Sequence, residues 1–166
     1  MKYSSSAIVE VVDHDNTGRQ ITIKCKLFEK VFYFCCVYAP NFVNERINFF
    51  RSLDDILRKT IQDEENIIIG GDFNCILDRN KDKISETKHS CDRSVNRLKK
   101  IMSRFKLLDI WRLQHKDLKQ FTWRRLTGHK THCRLDMFLV SENMSQIVKY
   151  SDIRPAILTD HMAVFC

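Results

Sequence analysis

Three consecutive isoleucines, Ile67 to Ile69, run directly into Gly70 and Gly71, and Asp72 and Asn74 follow two positions apart. A short apolar run bounded by glycine fits a buried strand. Such a strand needs paired neighbours on either side and a core to pack on, so it commits the chain to a layered body of sheets and other elements. It also commits the strand's end. Side chains alternate with period two, so Asp72 and Asn74 share one face if the strand continues that far. The glycines remove side-chain bulk, which lets a foreign backbone come close. A carboxylate that takes a proton from water, beside an amide that orients that water, is suited to hydrolysis. Gly, Asp and Asn are also ordinary turn residues, and this stretch alone leaves both readings open.

The rest of the chain supplies the neighbours. Residues 6–12, 20–28 and 31–38 are strand-like. DHDNTG joins the first two and Glu29-Lys30 the last two, so they read as an antiparallel meander. Pro40 in VYAP stops the third strand. Phe49, Phe50, Leu53, Ile56, Leu57 and Thr60 have the spacing of one buried helix face, and the polar run QDEEN ends that helix. Residues 78–91 are polar and read as a loop. Residues 92–106 form a second helix, with Val95, Leu98, Met102 and Phe105 inward and Arg93, Arg97, Lys100 and Arg104 nearly opposite. The stretch LLDIWRLQH continues it less regularly. Residues 121–123 and 134–140 read as strands flanking the tip RRLTGHKTHC, and ILTDHMAVFC is a turn into a last strand. Strands and helices interleave without repeat or linker, so the expectation is one α/β or α+β domain.

Charge adds a partner class. The net charge is +7, and residues 92–134 hold 13 Lys/Arg against 3 Asp/Glu, while the remainder holds 15 against 18. A contiguous basic sector fits a polyanion, most simply nucleic acid, although a solvated basic face carries the same charge. No apolar run approaches the ~20 residues that span a bilayer, so no membrane is expected. The start lacks the apolar core of a signal peptide, and the expected setting is intracellular. The seven cysteines are odd in number and contain no CxxC, which points to reduced packing residues rather than disulfides or zinc.

Two further stretches join Asp72 and Asn74. Asp160 and His161 are adjacent in ILTDHMAVF, just ahead of the last strand. Asp136 sits in the apolar run RLDMFLVS, where an unpaired carboxylate is costly, and His161 is a candidate partner. In order, VYAP, GGDFN, FTW, RLDMFLVS and TDH cover most of the chain. This ordered set resembles the endonuclease/exonuclease/phosphatase superfamily. It is most similar to the apurinic-type endonuclease domain at the start of non-LTR retrotransposon reverse transcriptases.

The resemblance implies a four-layer α/β sandwich, two packed β-sheets flanked by helices. It implies roles residue by residue. Tyr38 matches the tyrosine that hydrogen-bonds the scissile phosphate. Asp72 matches the aspartate that activates water, and Asn74 the asparagine that helps orient it. His161 matches the histidine that contacts the phosphate, and Asp136 the aspartate that pairs with it. Asp160 matches a carboxylate linked to metal binding. Thr159 and Thr122 fall at DNA-contacting positions. The tip, with Arg124, Arg125, Lys130 and Arg134, corresponds to a hairpin laid into a DNA groove. The implied cofactor is Mg2+ or Mn2+, the partner DNA, the location nuclear, and a reverse transcriptase domain belongs to the parent protein.

The family begins with a strand carrying Asn and a second carrying a metal-binding Glu, and neither motif is present. Glu10, in AIVEVVDHD, does not match. The expectation is therefore a domain truncated at its N-terminus across residues 1–166, lacking its first strands and its main metal ligand, and inactive or weak alone. An abasic-site repair endonuclease or exonuclease shares every motif quoted. A non-catalytic nucleic-acid-binding remnant is the third reading.

Overall fold

The computed structural model describes residues 7–27, 29–61, 66–86, 91–128, 130–157 and 159–166. Three strands open the chain as expected: β1 (Ile8–His14), β2 (Gln20–Leu27) and β3 (Lys30–Tyr38) form an antiparallel meander. Asp15 organises the first connection, its carboxylate accepting from the backbone N–H groups of Arg19 and Gln20 at 2.7 and 3.0 Å. The chain leaves β3 at Pro40 and enters α1 (Val43–Thr60), which starts a turn and a half before the apolar stripe. It returns as β4 (Ile67–Asp72), parallel to β3.

On the far side of β4 lie β9 (Asp136–Ser141), antiparallel to it, and then β6 (Leu107–Asp109). The six-stranded order is β1-β2-β3-β4-β9-β6. One face of this sheet carries Tyr33, Cys35, Val37, Ile67, Ile69 and Leu139. It packs on Phe50, Leu53 and Leu57 of α1 and on Leu98 and Ile101 of α3 (Val95–Arg104). The isoleucine run therefore splits. Ile67 and Ile69 are 1% exposed against the helices, while Ile68 faces the other side, half-buried with Phe32 and Phe138. That second face is covered around Val140 and Met144 but opens toward β1, where Val9 and Val11 are exposed.

Two segments depart from the sequence reading. Residues 78–86 are not a loop: they form α2 (Arg79–Asp82) and β5 (Lys83–Ser85). Asp78 starts the helix by accepting from the N–H groups of Asn80 and Lys81. The strand exists because it pairs with β8 (Thr131–Cys133), which in turn pairs with β7 (Trp123–Arg124). The β8 partner lies more than forty positions away along the chain, so no local pattern announces it. Residues 107–114 do not extend α3 but make β6 and the short α4 (Ile110–Gln114). The run QDEEN falls largely at 62–65, outside the described residues. After α5 (Glu142–Ser145), β10 (Asp152–Pro155) and β11 (Met162–Phe165) close the chain as an antiparallel pair.

The architecture is mixed α/β with several sheets flanked by helices, the sheets holding six, three and two strands among the described residues. All seven cysteines are free, and burial pushes the Cys35 and Cys75 thiols up to about 11 and about 12. No helix among the described residues is long and apolar enough to cross a membrane.

Candidate active site

Sheet register assembles the site. Tyr38 at the end of β3 pairs with Asp72 at the end of β4, and Asp72 pairs with Asp136 at the start of β9. The three residues form a row across neighbouring strands, and paired positions present their side chains to the same face. His161, ahead of β11, reaches this row, its Nδ1 lying 2.9 Å from an Asp136 carboxylate oxygen. A backbone bridge between Trp123 and His161 holds that segment in place. Ligand atoms of Asp72, Asp136 and His161 all lie within 4.8 Å of one another.

Asn74 arrives by a different route from the one its spacing suggests. The strand stops at Asp72, and Asn74 takes φ +48°, in the left-handed region that Asn tolerates. Its backbone N–H donates to Asp72 Oδ1 at 2.8 Å, and its Nδ2 donates to Ala39 O at 2.8 Å and Asp72 Oδ2 at 3.1 Å. The turn and the polar site are thus one structure. Asn74 ties the carboxylate to the β3–α1 connection. Burial pushes the Asp72 carboxyl above its usual value, the Asn74 N–H works against that, and the nearby Asp136 charge adds to the rise.

Both glycines are required by close packing. At Gly71, φ is +139°, and a Cβ would lie 2.0 Å from Val37 O on β3. At Gly70 a Cβ would meet the Phe138 ring at 2.5 Å.

The remaining expected residues divide. Arg124, Arg125, Lys130 and Thr159 are exposed, and Thr159 accepts from the His161 N–H at 3.1 Å. Thr122 and Arg134, expected at the DNA surface, are 0% and 1% exposed. The Thr122 hydroxyl accepts from the N–H groups of Leu135 and Asp136 at 2.9 and 3.0 Å, so it fixes the backbone that carries Asp136. Arg134 spans two carboxylates, with Nε and Nη2 on Asp82 at 2.8 and 3.0 Å and Nη1 and Nη2 on Asp109 at 3.2 and 2.5 Å. Asp160 stands outside the close trio, one of its oxygens accepting from Trp123 Nε1 at 2.7 Å.

Three supporting residues were not legible as such in the sequence. Arg46 is 3% exposed and joins the β3–α1 connection to α3: it donates to Pro40 O, Asn41 O, Ser94 Oγ and Asp92 at 2.7 to 2.9 Å. An arginine four positions before Phe50, on the buried face of α1, was the available signal. Trp123 holds Asp160, and the Arg19 guanidinium lies 5.1 Å from the Tyr38 ring centre.

Residues 32–165 match the family described as endonuclease-reverse transcriptase. The chain belongs to this endonuclease–reverse transcriptase family. A curated relative, the Transposon TX1 uncharacterized 149 kDa protein of Xenopus laevis, is 34% identical over 148 residues. That match covers 89% of this chain and 11% of the longer protein, so the chain spans about a ninth of its relative. Among solved structures, an AP endonuclease from Archaeoglobus fulgidus has a similar fold, with TM-score 0.71 at 14% identity, over 96% of this chain and 69% of that one. The endonuclease domain of TRAS1, a telomere-specific non-LTR retrotransposon, gives TM-score 0.67 at 12% identity, over 95% and 78%. As a member of the endonuclease–reverse transcriptase family, the chain carries a mixed α/β fold like that of the AP endonucleases, as the ordered motifs implied.

Proposed function

We propose that this domain nicks DNA by metal-dependent hydrolysis of a phosphodiester bond, in the manner of retrotransposon target-site cleavage. The observation that carries the reading is the convergence of Asp72, Asp136 and His161 at one end of the sheet, with Asn74 bonded to Asp72. Asp72 takes the proton of an attacking water, and Asn74 holds the carboxylate in place for it. The Asp136 carboxylate fixes the orientation of the His161 ring, leaving Nε2 to face a phosphoryl oxygen. Tyr38, 49% exposed beside this row, offers its hydroxyl to the same phosphate.

The donor set fits a hard divalent cation. Mg2+ is commonly held by one or two carboxylates together with waters and substrate phosphate oxygens. Asp72 and Asp136 would hold it, and Mg2+ or Mn2+ there would supply charge that offsets the leaving 3′ oxygen. One Asp136 oxygen bonds His161 and both Asp72 oxygens accept from Asn74, so a metal here shares its ligands with the groups that activate water and orient the histidine. We therefore propose weak activity for this chain alone.

The test is nicking of supercoiled plasmid by the purified chain with Mg2+, with Mn2+ and with chelator, beside Asp72→Ala. Metal-dependent nicking that disappears in the variant supports the reading. A folded chain that leaves the plasmid intact under every condition overturns it. Comparing intact with abasic duplex then separates target-site nicking from abasic-site cleavage.

A further inference from the structure

Helices α1 and α3 pack side by side on the sheet, and their outer faces form an open groove. The spacing of its lining is regular. Asn44, Ile47, Asn48 and Arg51 recur on α1 at steps of three, four and seven residues. Arg93, just before α3, and Asn96, Arg97 and Lys100 on it recur at the same steps. Each set therefore occupies a single stripe of its helix, and the two stripes face each other.

Within the groove's own lining the charge is one-sided, while Asp54 and Asp55 line the adjoining hollow that shares Arg51, Arg97 and Lys100. The side chains of Arg93, Arg97 and Lys100 have no hydrogen bond or ion pair among the described residues, and the Arg51 side chain bonds only the neutral Asn48, at 3.4 Å. Of the acids nearby, Asp92 is paired with Arg46, Asp54 with Arg104 and Asp55 with Arg58, while Glu45 is exposed in the first turn of α1. Four cations lining one groove repel one another, and a bound polyanion relieves that repulsion. Asn44 and Asn96 lie in the first turns of the two helices, so both positive helix ends lie at the same end of the groove.

Through an adjoining hollow the groove reaches Asn74, the hydrogen-bond partner of Asp72. Asn96 lines it and also lines an adjoining hollow that contains Asn74, Lys83 and Lys99. A basic track thus leads from the Asp72 partner to the α1–α3 stripes.

We propose that this track binds the phosphate backbone of duplex DNA away from the scissile bond. The inference rests on the reading of DNA as substrate, and it assigns a binding surface apart from both the catalytic row and the β7–β8 tip. Seven helical residues advance about 10 Å. At about 3.4 Å of duplex axis per phosphate of one strand, the groove accommodates roughly three phosphates. It binds them without regard to base sequence, because the DNA backbone carries no sequence information.

The test is affinity for an intact duplex oligonucleotide across a salt series, using the full chain. The variants are Arg51→Gln/Arg93→Gln/Arg97→Gln/Lys100→Gln, the conservative Arg93→Lys/Arg97→Lys, and Lys149→Gln. The expected result for the glutamine variant is weaker binding and a log–log salt slope shallower by about 0.9 for every phosphate it no longer neutralises. The lysine variant keeps the wild-type slope, and so does Lys149→Gln, at an exposed lysine outside both the groove and the candidate site. A glutamine variant with the wild-type slope overturns the proposal. In the unsubstituted chain, duplex DNA shields the Lys100 amine from acetylation but leaves Lys149 reactive; equal labelling of Lys100 with and without DNA also overturns it. Groove-dependent binding without nicking removes the proposed activity and leaves this inference standing. Nicking with a groove-independent salt slope does the reverse.

Discussion

Arg134→Met separates a structural arginine from a DNA-binding one. Position in the basic tip predicts Arg134 on DNA. By geometry it is 1% exposed, with both carboxylates it bridges buried as well, Asp82 at 1% and Asp109 at 8%. Methionine fills a similar length of side chain but removes the positive charge. Asp109 is then left without its cation, while Asp82 keeps Arg112 at 2.5 Å. Removing one partner from a buried ion pair costs about 3–5 kcal/mol, because a charge is left without compensation. The remaining Arg112 pairing places the expected cost toward the lower end of that range. For a domain of this size each kcal/mol moves Tm by about 2–4 °C, so at about 3 kcal/mol the variant should melt roughly 6–12 °C lower. Thermal unfolding followed by circular dichroism gives the first number. Duplex binding well below both melting temperatures gives the second, and it should be unchanged. An unaltered Tm together with weakened DNA binding would refute the reasoning and return Arg134 to the interface.

Other outcomes follow from the same network. Thr122→Val keeps the shape but strands two backbone donors, Leu135 N and Asp136 N, at a cost of about 2–4 kcal/mol. It should also lower nicking by displacing Asp136, whereas Thr122→Ser should preserve both stability and nicking. The Asp82 carboxyl gives a pH signature. Burial alone would raise its pKa, but hydrogen bonds and charge from Arg134, and then from Arg112, hold it below the usual value. A depressed folded-state pKa contributes stability that is present above the unfolded value near ~3.9 and is lost as pH falls through the folded one. Urea unfolding should therefore show the gap between the wild-type chain and Asp82→Asn closing at acid pH; a gap that stays constant would argue against the pairing.

Legibility followed the range of the interactions. The β1–β3 meander, the α1 and α3 stripes and the isoleucine strand were readable because each is encoded in a local period. Residues 78–86 and 131–133 were not, because β5 and β8 are strands only through pairing with each other and with β7. At the site, Asp72, Asn74, Asp136 and His161 are legible in the sequence and lie together in the structure. The reasons differ in part: Asn74 reaches Asp72 through a left-handed turn, not along a strand. Arg134 and Thr122 lie elsewhere than the sequence suggests because a basic or hydroxyl residue near an exposed tip carries no mark of burial. The partners that bury them, Asp82, Asp109 and the 135–136 backbone, are set by tertiary packing.

Gly71 gives the sheet a point of mutational brittleness. Val37 O occupies the space that any Cβ would need, and that oxygen belongs to the backbone, so no rotamer change can clear it. Gly18, with nothing within 4 Å of where a Cβ would stand, faces only the preference of its backbone angle. Two codons for the same amino acid thus carry very different risk. In a drifting copy of this sequence, a missense change at position 71 displaces the segment that ends in Asp72, while one at position 18 alters a surface turn.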